Sequence, residues 1–326
     1  MHHLRLLFFS LLALAFSSCD TPRTKVDVSG VNAPLELHHF ERDFLGISDS
    51  EFGKQWATLQ AKYPPFFEGD NDSTEWYNRH QDTFFLRLYE ATQARIDYQR
   101  MQNELNQSWK YLKYYFPEEP LLPVITYVSG LDIMYPVLPT NKGIFIASDI
   151  FLGDDFSDYV GVPDYIRLRM DQDYLTAKLL KNYFSMRISF NRSDASFINH
   201  IIHHGKLLYA SHACAPFLEV WKIAEYTEVQ WEWCKKNEAS MWVYFLQNNL
   251  LFSPAPEMKT KFIDEAPFSK FGTKNEGDSP GRVGQWIGFR IVESYMNEHP
   301  EISLKDLLMD VDNQAIFANS KYKPLK

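Results

Sequence analysis

The sequence has 326 residues, of which 45% are hydrophobic and 16% aromatic, a composition that excludes a disordered chain and allows a large core. The formal net charge of -9 argues against a nucleic-acid partner, because phosphates require a basic surface. The chain is therefore predicted to be globular, and its charge indicates little beyond solubility.

The N-terminal segment has the pattern of a secretory signal peptide. Arg5 supplies a positive charge, residues 6–16 are apolar but too few to span a membrane, and Ser17 and Ser18 precede Cys19. The segment F-S-S-C resembles the lipobox of bacterial lipoproteins, in which the cysteine carries the lipid. An ordinary signal peptide with a chance cysteine is the alternative.

No later run is long enough to cross a membrane. We therefore predict a lipoprotein signal peptide at residues 1–18, a lipidated N-terminus and tether at 19–34, and a single globular domain at 35–326. The other two cysteines, Cys214 and Cys234, are predicted to be separate buried thiols, with a disulfide between them as the alternative.

Strands and helices are predicted in a segregated α+β pattern, predominantly helical with a small β-sheet. Alternating or β-branched runs mark the strands, and apolar residues at three- and four-residue steps, ended by prolines, mark the helices. The predicted strands are 35–40, 122–128 and 143–148, and the predicted helices of this half are 50–63, 83–94 and 96–115.

His200 and His204 stand four residues apart in a predicted helix, so they share one side and are candidate ligands of one metal ion. In the H-E-x-x-H pattern of zinc proteases, a glutamate follows the first histidine and deprotonates the metal-bound water. Ile201 occupies that position here. The pattern keeps the ligand spacing and lacks the general base, and boundary histidines on an amphipathic helix are the alternative interpretation.

Thr227 and Gln230 form a capping box that predicts a helix to about Asn248. Glu238 falls on the apolar face of this helix, where a carboxylate must be ion-paired, hydrogen-bonded or metal-bound. It is the candidate third zinc ligand, and an ion pair or hydrogen bond is the alternative.

Ser279 and Pro280 predict the start of a further helix that runs to about Asn297. Gly281, Gly284 and Gly288 lie on one side of it, which predicts close approach of another helix or of a ligand. Arg282 and Arg290 flank this side, and one of them is expected to pair with Glu238.

Several stretches resemble the gliding-motility lipoprotein GldB family, over essentially the whole chain and most specifically over residues 197–326. They are K-Y-Y-F-P at 113–117, H-H-G-K-L-L-Y at 203–209, N-E-A-S-M-W-V-Y-F at 237–245, A-P-F-S-K-F at 266–271, S-P-G-R-V-G-Q-W-I-G-F-R-I-V-E-S-Y-M at 279–296 and S-K-Y-K-P at 320–324. The resemblance implies a lipoprotein in the cell envelope of a Bacteroidetes-type bacterium, facing the periplasm or the cell surface. It also implies association with gliding and the secretion machinery coupled to it.

The family is also similar to predicted zincin-like metallopeptidases, which implies a zincin-like domain and places Glu238 where such enzymes have their third ligand. Two classes of function follow. The first is a non-catalytic protein-interaction module without a cofactor, whose partners are envelope proteins of the gliding and secretion apparatus. The second is a zinc-dependent peptidase with His200, His204 and Glu238 as ligands and His203 or Glu232 as the base.

A third hypothesis is capture of a sugar or another substrate. It rests on the aromatic content and on Trp76 and Tyr77, which look exposed in the sequence.

Overall fold

A computed structural model describes residues 24–69, 72–254 and 256–324. The predicted signal peptide and the lipidation site Cys19 lie outside the described residues. Within the described ranges, no helix combines the length and the apolar character needed to cross a membrane.

A four-stranded mixed sheet forms the β part of the fold, in the order β1-β2-β4-β3. Its strands are β1 (Leu37–His39), β2 (Val124–Tyr127), β3 (Val137–Pro139) and β4 (Ile144–Ala147). The pairs β1·β2 and β2·β4 are parallel, and β3·β4 is antiparallel. The sequence did not predict β3, since Pro136 and Pro139 indicate a turn, and an edge strand tolerates proline because one side needs no donor.

Six helices lie between β1 and β2 and pack with the sheet. They are α1 (Phe40–Leu45), α2 (Asp49–Lys62), α3 (Pro64–Phe67), α4 (Ser73–Gln81), α5 (Thr83–Arg95) and α6 (Tyr98–Tyr115). The predictions of α2, α5 and α6 are confirmed within two residues. The sequence missed α1, α3 and α4, which are short and gain their stability from aromatic packing rather than from helix propensity.

The rest of the described chain after β4 is helical. Its α-helices are α7 (Asp164–Arg167), α8 (Leu175–Ser185), α9 (Phe197–Cys214), α10 (Val220–Ile223), α11 (Glu228–Gln247), α12 (Pro256–Phe262), α13 (Val283–Glu298), α14 (Leu304–Met309) and α15 (Asn313–Asn319). The helices α9 and α13 form the most extensive interhelical contact. The capping box predicted at Thr227 and Gln230 is present at the start of α11. The α+β class with a predominance of helix is therefore confirmed.

The predicted start of the last long helix at Ser279 is wrong. Helix α13 begins at Val283, and Gly281 lies in the turn before it. The Ser279 hydroxyl donates to the Glu276 carbonyl oxygen at 2.6 Å and accepts from the Ser269 backbone N–H at 3.2 Å, so it ties two loops together instead of capping a helix.

The buried residues form two hydrophobic clusters, a large one around α9 and α13 and a smaller one between the sheet and α1 to α5. Val28 and Ala33, within the predicted tether, are buried in the large cluster, so the packed part of the chain begins before residue 35. Cys214 and Cys234 are buried free thiols, as predicted. Trp76 is buried in the smaller cluster, against the expectation that it is exposed, which leaves the sugar-binding hypothesis with the aromatic content and Tyr77.

Candidate functional site

Helix α9 carries the histidines of the predicted metal site. The Ser196 side chain caps it by accepting from the Asn199 backbone N–H. The rings of His200 and His203 both contact Phe190, with centroids 4.8 and 5.0 Å away, and the His203 and His204 rings are 5.4 Å apart. The histidines thus pack as aromatic rings at the edge of the core.

Burial keeps these imidazoles neutral. It lowers the pKa of His203 to about 4, with Lys206 adding to the effect, and it lowers the pKa of His204 well below its usual value. The pKa of His200 is also lowered, by burial and then by Lys259. The Nδ1 atoms of His203 and His204 are buried without a hydrogen-bond partner. A neutral imidazole is the form that binds metal, so protonation does not oppose ligation.

Ile201 stands where a zinc protease has its general base, and its side chain is fully buried. Its carbonyl oxygen lies against Gly288 of α13. The position that would carry the base is therefore part of the packed interface between α9 and α13.

Glu238 is buried on the inner face of α11, as predicted. Its Oε1 accepts from the Arg290 Nε at 3.3 Å and from the Tyr322 hydroxyl at 2.8 Å. Arg290 also pairs with Glu293, whose pKa is raised by burial and then by the charge of Glu238. Glu238 Oε2 is buried without a partner. The expected arginine partner of Glu238 is therefore Arg290, and an ion pair meets the need of this carboxylate.

The structure does not gather the three predicted zinc ligands into one group. Among the described residues, no three His, Cys, Asp or Glu side chains lie close enough together to hold a metal ion. Of the alternative bases, Glu232 is partly exposed and paired with Lys235, and His203 packs on Phe190. The zinc site stays a prediction.

Glycines allow the backbones of α9 and α13 to come into contact where the helices cross. A Cβ added at Gly205 would overlap the Gly288 carbonyl, and one added at Gly288 would overlap the Ile201 carbonyl. A Cβ at Gly284 would meet the Ile263 Cδ1 at 2.7 Å. Of the predicted track, Gly284 and Gly288 thus serve helix packing, while Gly281 meets the Ala266 carbonyl in the preceding turn.

Arg282 takes part in a different cluster from Glu238. Its backbone is left-handed, with φ of 63°, a conformation that is costly for a residue other than glycine. Its guanidinium donates to the carbonyl oxygens of Ala224 at 3.2 Å and Glu225 at 2.7 Å, and it pairs with Glu265 at 3.4 Å. These contacts hold the strained backbone in place.

Three further cations complete this cluster around two carboxylates. Glu225 accepts from Lys178 at 2.5 Å and from Lys181 at 2.7 Å, and Arg169 forms a two-bond fork with Glu265 at 2.9 and 2.7 Å. Burial by itself would raise the pKa of Glu225, but the two lysines lower it well below its usual value. We call Arg169, Lys178, Lys181, Glu225, Glu265 and Arg282 the charge cluster.

The sequence reasoning missed five of these six residues. Lys178 and Lys181 stand three apart in the otherwise apolar stretch L-T-A-K-L-L-K, a local signal for two cations on one helix side. Arg169, Glu225 and Glu265 lie outside the helices and strands, and only the tertiary structure brings them to α8.

The comparison with protein families decides the relationship. The model of the gliding motility protein GldB family matches residues 21–324. The chain belongs to the GldB family. No curated protein and no solved structure matches at the threshold applied.

The stretches by which the chain resembles GldB proteins meet in the folded molecule. Glu238 belongs to the stretch 237–245, Arg290 to 279–296 and Tyr322 to 320–324, and these side chains share one hydrogen-bonded group. Three of these stretches thus bring α11, α13 and the C-terminal segment together around a buried carboxylate.

Proposed function

We propose that this GldB-family protein is a lipoprotein anchored through Cys19 in the cell envelope, where it acts as a non-catalytic module of the gliding and coupled secretion machinery. Its partners are envelope proteins of that apparatus, and its domain is a zincin-like shell without peptidase activity. Family membership supports the association with gliding, and the family name points to lipoproteins. The lipobox-like segment before Cys19 supports the anchor.

The burial of Ile201 carries the non-catalytic part of the proposal. A hydrocarbon cannot accept a proton, and the fully buried side chain at this position packs in the core instead of facing a substrate. The engagement of Glu238 with Arg290 and Tyr322 supports the same view, because these groups already supply hydrogen bonds to the carboxylate.

The test compares colony spreading of three strains, in which the only copy of the gene encodes the wild type, His200→Ala/His204→Ala or Cys19→Ser. We expect the double-histidine variant to spread like wild type, and Cys19→Ser to lose spreading and leave the membrane fraction. Immunoblotting for equal protein levels is the control.

Elemental analysis of the purified wild-type and double-histidine proteins accompanies the motility assay. We expect no stoichiometric zinc in either protein. One zinc per chain that disappears in the variant, together with loss of spreading, would overturn the proposal and favour a peptidase that uses His200, His204 and Glu238.

A further inference from the structure

A cavity of about 450 Å³ lies beside the charge cluster. Arg169, Lys178, Lys181, Glu225 and Glu265 contribute its charged lining. Ile133 and Met134 also line it and are 36% and 76% exposed, so the cavity opens to solvent. Its volume lies within the range of small-molecule sites, roughly 300–1,000 Å³.

The cluster has an excess of positive charge. Four cations, Arg169, Lys178, Lys181 and Arg282, face only two carboxylates, Glu225 and Glu265. A buried cation is costly unless it is paired, so an anion that enters the cavity would offset this excess.

The two lysines have donors to spare. An ammonium group has three N–H donors, and in the described part of the chain Lys178 and Lys181 each donate to Glu225 alone. Burial lowers the pKa of Lys181 against the opposing effect of Glu225, and Arg282 and Lys178 lower it further. Both lysines line the cavity, so their remaining donors can reach a ligand inside it.

Backbone strain occurs at Glu225, which lines the cavity, and at Arg282, whose guanidinium donates to the Glu225 carbonyl oxygen. Of the five non-glycine residues with positive φ in the described ranges, Glu225 and Arg282 belong to the charge cluster. Leu131, with φ of 66°, lies two residues before Ile133, in a loop whose N–H groups at Ser129 and Leu131 bind the buried Asp149 carboxylate. Strained residues that the surroundings hold in place gather at ligand sites.

The rest of the lining is mainly apolar. It consists of one polar residue, Asn182, and of Ile133, Met134, Pro136, Ile150, Ile166 and Met170. A bare inorganic anion would leave this wall without a partner, whereas an anion with a hydrocarbon part would bury apolar surface on it. The Arg169 fork, the group best suited to bidentate phosphate recognition, is already engaged by Glu265.

We propose that this cavity binds a small amphiphilic carboxylate, whose carboxylate group pairs with Lys178 and Lys181 and whose hydrocarbon part packs on the Ile133 and Met134 wall. The carboxylate is that of a short aliphatic acid or of a peptide C-terminus with an apolar last residue. None of the predicted zinc ligands lines this cavity, and the proposal does not depend on the motility role.

The test is calorimetric titration of the purified full chain with acetate, butyrate, hexanoate and hexanamide. We expect affinity to rise about fourfold with each added methylene that is buried, and hexanamide, which has no charge, to bind at least about tenfold more weakly than hexanoate. Inorganic phosphate that binds more tightly than hexanoate, or hexanamide that binds as well as hexanoate, would overturn the proposal.

Matched variants locate the site. Lys178→Met and Lys181→Met should each weaken hexanoate binding at least about tenfold, whereas Lys235→Met, at an exposed lysine of α11, should leave it unchanged. Met134→Asp, at an exposed position of the wall, should weaken hexanoate more than acetate. Equal affinities of the Lys178, Lys181 and Lys235 variants, with thermal unfolding showing that all are folded, would contradict the assignment.

Two peptide probes distinguish the sources of the carboxylate. An acetylated tetrapeptide ending in leucine with a free carboxylate is compared with the same peptide as its C-terminal amide. Tighter binding of the free-acid peptide than of hexanoate assigns the site to a chain terminus, and the reverse order assigns it to a free acid. Equal binding of the amide and the free-acid peptide would exclude carboxylate recognition in the peptide.

Discussion

Gly205 of α9 and Gly288 of α13 face each other where the two helices cross, and the Gly288 backbone fills the space that a side chain at Gly205 would need. Ile201 also lies in this crossing, because its carbonyl oxygen is the nearest atom to a Cβ at Gly288. The helix that carries the predicted metal ligands is thereby fixed to the central helix of the large cluster.

Gly288→Ala is expected to destabilise the protein by about 3 kcal/mol, because the added methyl group would overlap backbone atoms that cannot rotate away. The measurement is urea unfolding followed by circular dichroism. Gly53→Ala, in the exposed part of α2 with open space around it, is the matched control and should stabilise by up to about 1 kcal/mol. Similar effects of both substitutions would show that the crossing is not tightly packed.

Glu238→Gln is expected to cost about 2 kcal/mol, because it removes the charge that Arg290 and Tyr322 bind in a buried position. Glu232→Gln, on the exposed side of the same helix, should change the free energy of unfolding by less than about 0.5 kcal/mol. Both are measured by urea unfolding. An equal effect of the two variants would argue against a structural role of the Glu238 pair.

Acid is expected to destabilise the protein between pH 6.5 and pH 4. Burial lowers the pKa of His203 and of His212 to about 4, so in this window the unfolded chain binds protons that the folded chain does not. Stability therefore falls as pH falls, by about 3 kcal/mol for each histidine. The measurement is the free energy of unfolding against pH.

In the variant His212→Gln, the free energy of unfolding should fall less between pH 6.5 and pH 4 than in the wild type. The expected difference is the contribution of one histidine, about 3 kcal/mol. Stability at pH 8, where neither imidazole is protonated, is the control for lost contacts. Parallel curves of variant and wild type would contradict the assignment of this proton uptake to His212.

Raising the pH above 8 is expected to stabilise the folded protein through deprotonation of Lys206. Its ammonium is buried and donates to the Asp310 carbonyl oxygen at 2.5 Å, and burial lowers its pKa to about 8 despite Asp310 and Asp312. Between pH 8 and pH 10.5 the folded chain has lost this proton and the unfolded chain still holds it. Below pH 8 both states hold the proton, and burying the charged ammonium costs the folded state about 3 kcal/mol. The contribution of Lys206 to stability therefore rises with pH through this window.

The measurement compares wild type with Lys206→Met from pH 7 to pH 10.5. The stability difference between the two proteins should change by about 3 kcal/mol over this range, in favour of the wild type at high pH. A constant difference would mean that Lys206 titrates normally in the folded protein.

The elements that were predicted correctly from the sequence are those that depend on residues close together in the chain. The capping box of Thr227 and Gln230 is formed by neighbours in the chain, so it was readable without tertiary structure. The same holds for the apolar periodicity of α6 and for the burial of Glu238, which follows from its position on a helix face. The glycine spacing of Gly284 and Gly288 correctly predicted a close helix approach.

Tertiary contacts decided the rest. The backbone at Arg282 is held left-handed by contacts with residues 224, 225 and 265, and this moves the start of α13 to Val283, beyond the Ser-Pro signal. The choice of Arg290 over Arg282 as partner of Glu238 depends on how α11 packs on α13. The sequence by itself thus determined the helical α+β class, the family and the presence of isoleucine rather than glutamate at position 201, because these depend on residue type and short spacing. Only the tertiary structure decided which charges meet, because the charge cluster joins residues up to about a hundred positions apart, and no local spacing encodes such a contact.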